Sequence, residues 1–172
     1  MPIIRSYEGK TPTVGEGTYL ADNAVLVGDV AIGQRSSIWF GTVLRGDVFH
    51  IRVGDETSIQ DNSVVHVTHG QNATVVGSRV TVGHAVTLHG CIINDHCIIG
   101  MGSILLDQAE IGERSIVGAG ALVTPGTKIP PGTLAVGVPA RPKRDLTPAE
   151  LAWVESSAQH YVELAKKYLA MR

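Results

Sequence analysis

A chain of 172 residues is the length of one domain of moderate size. A net charge of −2, with only 17% of residues charged, supplies no basic surface for nucleic acid or for an anionic membrane, and neither is expected as a partner. Twenty glycines and only 5% aromatics suit narrow coils filled by stacked Val, Ile and Leu.

Residues 1–13 read as a short lead-in strand with a Pro-containing turn. Met1-Pro2-Ile3-Ile4-Arg5 contains no long apolar run, so neither a signal peptide nor a transmembrane span is expected. From Val14 onward an aliphatic residue opens a six-residue unit nineteen times. The openers are Val14, Leu20, Leu26, Ile32, Ile38, Leu44, Val53, Ile59, Val65, Val76, Val82, Leu88, Ile93, Ile99, Leu105, Ile111, Val117, Val123 and Ile129. Glycine often follows in second place, and the fifth place is small or β-branched, as at Thr18, Ser36, Thr57, Ser103 and Ser115. A period of six fits neither a helix nor a simple hairpin ladder. It fits a solenoid in which three short strands make one triangular coil, here about six coils and roughly 30 Å of height.

After the repeats, Val136 to Pro142 reads as an extended exit in which proline blocks helix. Thr147-Pro148-Ala149-Glu150 is a helix start, with Thr147 as N-cap, Pro148 in the first turn and Glu150 closing a capping box. The helix is expected to run to about Leu169. Its apolar stripe of Leu151, Val154, Ala158, Tyr161, Val162, Ala165 and Leu169 should pack on a solenoid face or on a neighbouring subunit. The chain thus divides into a β-solenoid with its lead-in at 1–134, and an exit segment with one C-terminal α-helix at 135–172, as one structural unit. Cys91 and Cys97 look like small interior residues without a disulfide pattern, which points to a reducing cytoplasm.

Chemistry is sought first among the seven histidines. Counting three units per coil, His66 and His89 hold the second position of units one coil apart on one face, about 5 Å from each other. That is close enough to share a metal. Arg45 belongs to the same column, one coil earlier. His84 lies on the next face, and two faces of one prism do not easily converge on one external point. A three-histidine site therefore implies a neighbouring prism that brings its own His84, and the simplest closed ring is a trimer. Gln60 and Asp61 sit one coil before His84 and should travel with it, so that Asp61 could meet Arg45 across the interface. The plainer alternative is an exposed imidazole ladder with His84 as a turn residue.

Leu44-Arg45-Gly46-Asp47, Ile59-Gln60-Asp61-Asn62-Ser63, Val65-His66, Val82-Gly83-His84, Leu88-His89-Gly90-Cys91 and Ile99-Gly100-Met101-Gly102-Ser103 together resemble the γ-class carbonic anhydrase family and its bacterial homologues. The resemblance spans residues 1 to 170. It implies a left-handed parallel β-helix and a homotrimer with metal sites shared between adjacent subunits, ligated by His66, His84 and His89. It further implies Zn²⁺, with Fe²⁺ or Co²⁺ as substitutes, and hydroxide on the metal attacking CO₂ to give bicarbonate. By the same resemblance Gln60 orients the reactants, Arg45, Asp47 and Asp61 form a salt-bridge network, and Tyr161 reaches the site. The sequence departs from the family's prototype in one place. The acidic loop that carries a proton-shuttling Glu there is replaced by Thr68 to Thr74, which contains no carboxylate. His69 is the titratable candidate in that loop. Metal binding is thus a more direct expectation than fast turnover. The competing readings are a metal-dependent thioesterase, a hexapeptide acyltransferase (suggested by Gly137-Val138-Pro139-Ala140), and a non-catalytic metal-binding trimer.

Overall fold

The computed structural model describes residues 1–171. They form a parallel β-solenoid with one helix laid against it. On one face the strands Tyr19–Leu20, Ser37–Ile38, Ser58–Ile59, Thr81–Val82, Ile98–Ile99, Ile116–Val117 and Thr133–Gly137 pair in parallel, in chain order. Two longer strands, Val25–Ile32 and Val43–Val53, run across a corner and join the other two faces into one sheet.

The registers show why the period of six is structural. Leu26 pairs with Leu44, Leu44 with Val65, Val65 with Leu88, Leu88 with Leu105 and Leu105 with Val123, all in one column. Each of these side chains is fully buried. Burying one such side chain contributes about 1.5–3 kcal/mol before conformational entropy is charged against it. Seven layers stack where the repeat count predicts about six. The repeats fill seven layers on the face of Val14 and Ile129 alone. The lead-in strand Ile3–Arg5, parallel to Val25 to Val27, completes a second face, and Thr133–Gly137, parallel to Ile116–Val117, completes the third.

The small residues in fifth place have a second role. Their hydroxyls donate across the coil spacing to carbonyls of the next layer, from Ser36 to Gly54 at 2.8 Å, Thr57 to Gly77 at 2.7 Å and Ser115 to Pro130 at 2.9 Å. Cys97 occupies the same place and directs its thiol at the Gly112 carbonyl, 3.2 Å away. Both cysteines are buried and free, and burial pushes each thiol up to about 12.

Beyond the last coil the exit segment is more structured than an extended strand. Ala140–Asp145 folds back antiparallel onto Thr133–Gly137 and covers the end of the sheet. The helix then runs from Pro148 to Ala170, its N-terminus closed by the expected capping box of Thr147 and Glu150. Val154, Ala158, Val162 and Ala165 are buried on the face that starts at Tyr19–Leu20 of the same chain. An aromatic cluster of Tyr19, Trp39, Tyr161 and Tyr168 fixes the far end, with Trp39 Nε1 donating to Ser58 at 2.9 Å. Among the described residues no helix is long and apolar enough to cross a membrane.

Candidate metal centre

The strands Val64–His66 and Thr87–His89 pair with His66 directly opposite His89. The solenoid spacing puts their ring centroids 5.2 Å apart, with His66 Nδ1 3.2 Å from His89 Nε2. Each outer ring nitrogen meets a carboxylate. His66 Nε2 lies 3.1 Å from Asp47, and His89 Nδ1 lies 2.8 Å from Asp107. Arg45, from the same column, pairs with Asp47. Burial alone would raise Asp47, but the Arg45 guanidinium and the His66 hydrogen bond outweigh it and hold the carboxyl below its usual range. Burial lowers His66 more than Asp47 raises it, so the ring is neutral at neutral pH.

This arrangement has a chemical consequence. A carboxylate only accepts, so the tautomers that serve Asp47 and Asp107 carry their protons on the outer nitrogens and turn the inner nitrogens toward each other as acceptors. Two lone pairs at 3.2 Å call for a shared proton or a cation between them. Two ligands on a tetrahedral zinc, at bonds of ~2.0–2.1 Å, stand about 3.3 Å apart, so the pair fits a metal of that kind.

His84 belongs to a different group. It lies at the corner next to the other face, half-exposed, with Nδ1 2.9 Å from Asp61 of the preceding coil. It shares a groove of about 600 Å³ with Gln60, Met101, Trp153, His160 and Tyr161, between the solenoid and the helix. Gln60 is almost fully buried, and among the described residues its side-chain amide makes no hydrogen bond. Burial and the charge of Asp61 both raise Tyr161, keeping its phenol protonated.

Of the residues singled out by sequence, one chain therefore brings Arg45, Asp47, His66 and His89 together, and separately gathers Gln60, Asp61, His84 and Tyr161. Within the chain Arg45 pairs with Asp47, and Asp61 holds His84. His69 stands exposed in the turn closed by Thr68 and Asn72. Among the described residues of one chain, no three His, Cys, Asp or Glu side chains form a metal cage. Sequence reasoning missed Asp107 and Thr68. The signal was available for Asp107, which holds the third position of the unit opened by Leu105, one coil beyond Gly90.

Comparison with known proteins places the chain in a family. Residues 90–125 match the bacterial transferase hexapeptide family, a unit of six repeats. A carbonic anhydrase of Geobacillus kaustophilus is 46% identical over 170 residues, covering 99% of this chain and 93% of its own. Gamma carbonic anhydrase 1 of Arabidopsis thaliana mitochondria is 45% identical over 166 residues, covering 94% of this chain and 60% of its own. The chain belongs to the γ-carbonic-anhydrase-like family. A solved Bacillus cereus structure, provisionally called an acetyltransferase, superimposes with a TM-score of 0.96 at 43% identity and covers 99% of both chains. The hexapeptide solenoid is thus common to this γ-carbonic-anhydrase-like chain and to a protein named for a different reaction. The name of the reaction must come from the side chains on the coils, since the coils themselves are shared.

Proposed function

We propose that the protein interconverts CO₂ and bicarbonate at a divalent metal, zinc with iron or cobalt as substitutes, held between copies of the chain. Three copies close the ring, each lending His84 to the His66–His89 pair of its neighbour, and the buried free thiols suit a cytoplasmic setting. The observation that supports this most is the pairing of imidazole with carboxylate. His66, His84 and His89 each engage one aspartate through one ring nitrogen, which leaves the other nitrogen free to ligate.

A bound divalent metal supplies the Lewis acidity that lets water lose a proton near neutral pH, an effect for which carbonic anhydrase is the standard reference case. The rest falls to the protein. His66, His84 and His89 would hold the ion as neutral imidazoles. Gln60 has an uncommitted amide with which to orient a CO₂ or bicarbonate oxygen. Arg45, beside Asp47, puts a positive charge near the anionic product, and Asp61 keeps His84 directed. Tyr161 has a protonated hydroxyl to donate, and His69 carries the proton out to buffer.

Stopped-flow CO₂ hydration on zinc-loaded protein, with His89→Ala as control, tests this reading. Turnover well above the control is expected. A protein that holds one metal per chain and shows no such turnover is not a carbonic anhydrase. A second reading is favoured by the groove of about 600 Å³ beside His84, far larger than CO₂ requires and floored by Ile98, Ile99 and Met101. It suits the acyl chain of a thioester, and thioester hydrolysis is the reaction to assay next.

A further inference from the structure

We propose that Asp107 is a positioning residue that fixes His89 in the tautomer carrying its proton on Nδ1, with Thr68 and Gly90 as the parts that hold Asp107 in place. The proposal rests on the reading of His89 as a metal ligand. Asp107 reaches back across one coil, so that Oδ1 lies 2.8 Å from His89 Nδ1. A carboxylate in that place accepts the Nδ1 proton and leaves the Nε2 lone pair directed at the His66 side.

Two features keep the carboxylate there. The first is Thr68, whose hydroxyl lies 2.9 Å from each oxygen of Asp107 although the residues are 39 apart in sequence. Thr68 is itself set by a tight turn, its N–H donating to the Asn72 carbonyl at 3.0 Å and its carbonyl accepting from Gln71 at 3.1 Å. The short loop that lacks the family's acidic residue thus orients a carboxylate borne by another coil. The second feature is Gly90, which lies beneath Asp107 with φ of +60°. A Cβ there would come within 2.1 Å of Asp107 Oδ1. Glycine serves both needs, since it tolerates the left-handed backbone and leaves the space the carboxylate fills. The Gly90 N–H in turn donates to Thr74 at 2.9 Å, which fastens the far end of the same loop.

Two measurements test the inference. Long-range ¹⁵N–¹H correlation spectra of metal-free protein with ¹⁵N-histidine read the tautomer directly. They should show His89 protonated on Nδ1 in the wild type and a loss of that pattern in Asp107→Ala. Zinc affinity by chelator competition should fall about 10- to 100-fold in Asp107→Ala. Asp107→Asn keeps an acceptor for His89 and a partner for Thr68, and should recover much of that loss. Gly90→Ala should resemble Asp107→Ala, and if it fails to fold, Thr68→Val supplies the same comparison through the other support. A wild-type His89 protonated on Nε2, or an Asp107→Ala zinc affinity within twofold of wild type, overturns the inference while leaving the metal reading intact. Wild-type protein that takes up no zinc overturns both.

Discussion

His66 and His89 stand opposite each other on adjacent coils, with Nδ1 of the first 3.2 Å from Nε2 of the second and an aspartate behind each ring. The solenoid sets the spacing and the aspartates set the tautomers, so the rings aim acceptors at each other. That relationship leads to the first prediction.

His66→Ala and His89→Ala should each weaken zinc binding by at least 100-fold with little change in fold, since both side chains are only partly buried and neither fills the core. Chelator competition measures the affinity, and circular dichroism of the β-solenoid checks the fold. Tight zinc binding retained in both variants would count against a site at this pair.

Gln60→Ala should lower kcat/KM for CO₂ by roughly 10²–10³, the usual cost of losing one preorganised hydrogen-bonding group, with metal content unchanged. The amide makes no other hydrogen bond among the described residues, so its removal should cost little stability. A rate within threefold of wild type would remove Gln60 from the mechanism.

Leu88→Ala should cost about 2–5 kcal/mol, because Leu88 is fully buried between Val65 and Leu105 and the stacked coils cannot collapse into the gap. Cys97→Ser should cost less than about 1.5 kcal/mol, because serine in the same place elsewhere bonds to the next coil's carbonyl as Cys97 does. Denaturant titration compares the two. Both thiols, pushed up to about 12 by burial, should resist a thiol reagent until the protein unfolds.

The helix N-terminus should loosen in acid. The Arg144 hydrogen bond, together with bonds from the Thr147 backbone and hydroxyl, lowers Glu150 to about 2. A free glutamate titrates near 4.3, so the folded carboxyl is the more acidic one. Its contribution is therefore fully present above about pH 4.3 and is lost as the pH falls through about 2. The hydrogen-exchange protection factors of the first helical turn, taken relative to the intrinsic rate at each pH, should fall over that window. Thr147→Ala should cost about 1 kcal/mol at neutral pH and weaken the same turn. Protection unchanged from pH 5 to 2 would mean that the Glu150 carboxylate contributes nothing to the cap.

The sequence by itself determined the coil and most of what stands on it. A six-residue period allows one stacking of Leu26, Leu44, Val65, Leu88 and Leu105, and that register carries His66 opposite His89 and Asp61 one coil before His84. The capping box and the buried stripe of the helix were legible for the same reason, since each is a local pattern of close spacing. Only the tertiary structure decided what crosses an irregular segment. Ile3–Arg5 and Thr133–Gly137 complete the seventh layer on two faces without the repeat pattern, and Ala140–Asp145 turns back on the last coil. Thr68 meets Asp107 over 39 residues, from a turn closed by Thr68 and Asn72 to the coil beyond His89. A periodic pattern specifies which residues stack, because every coil repeats the same backbone path. It leaves open which nitrogen of an imidazole is taken, because that depends on a carboxylate whose reach is set by a loop and by the empty space over Gly90.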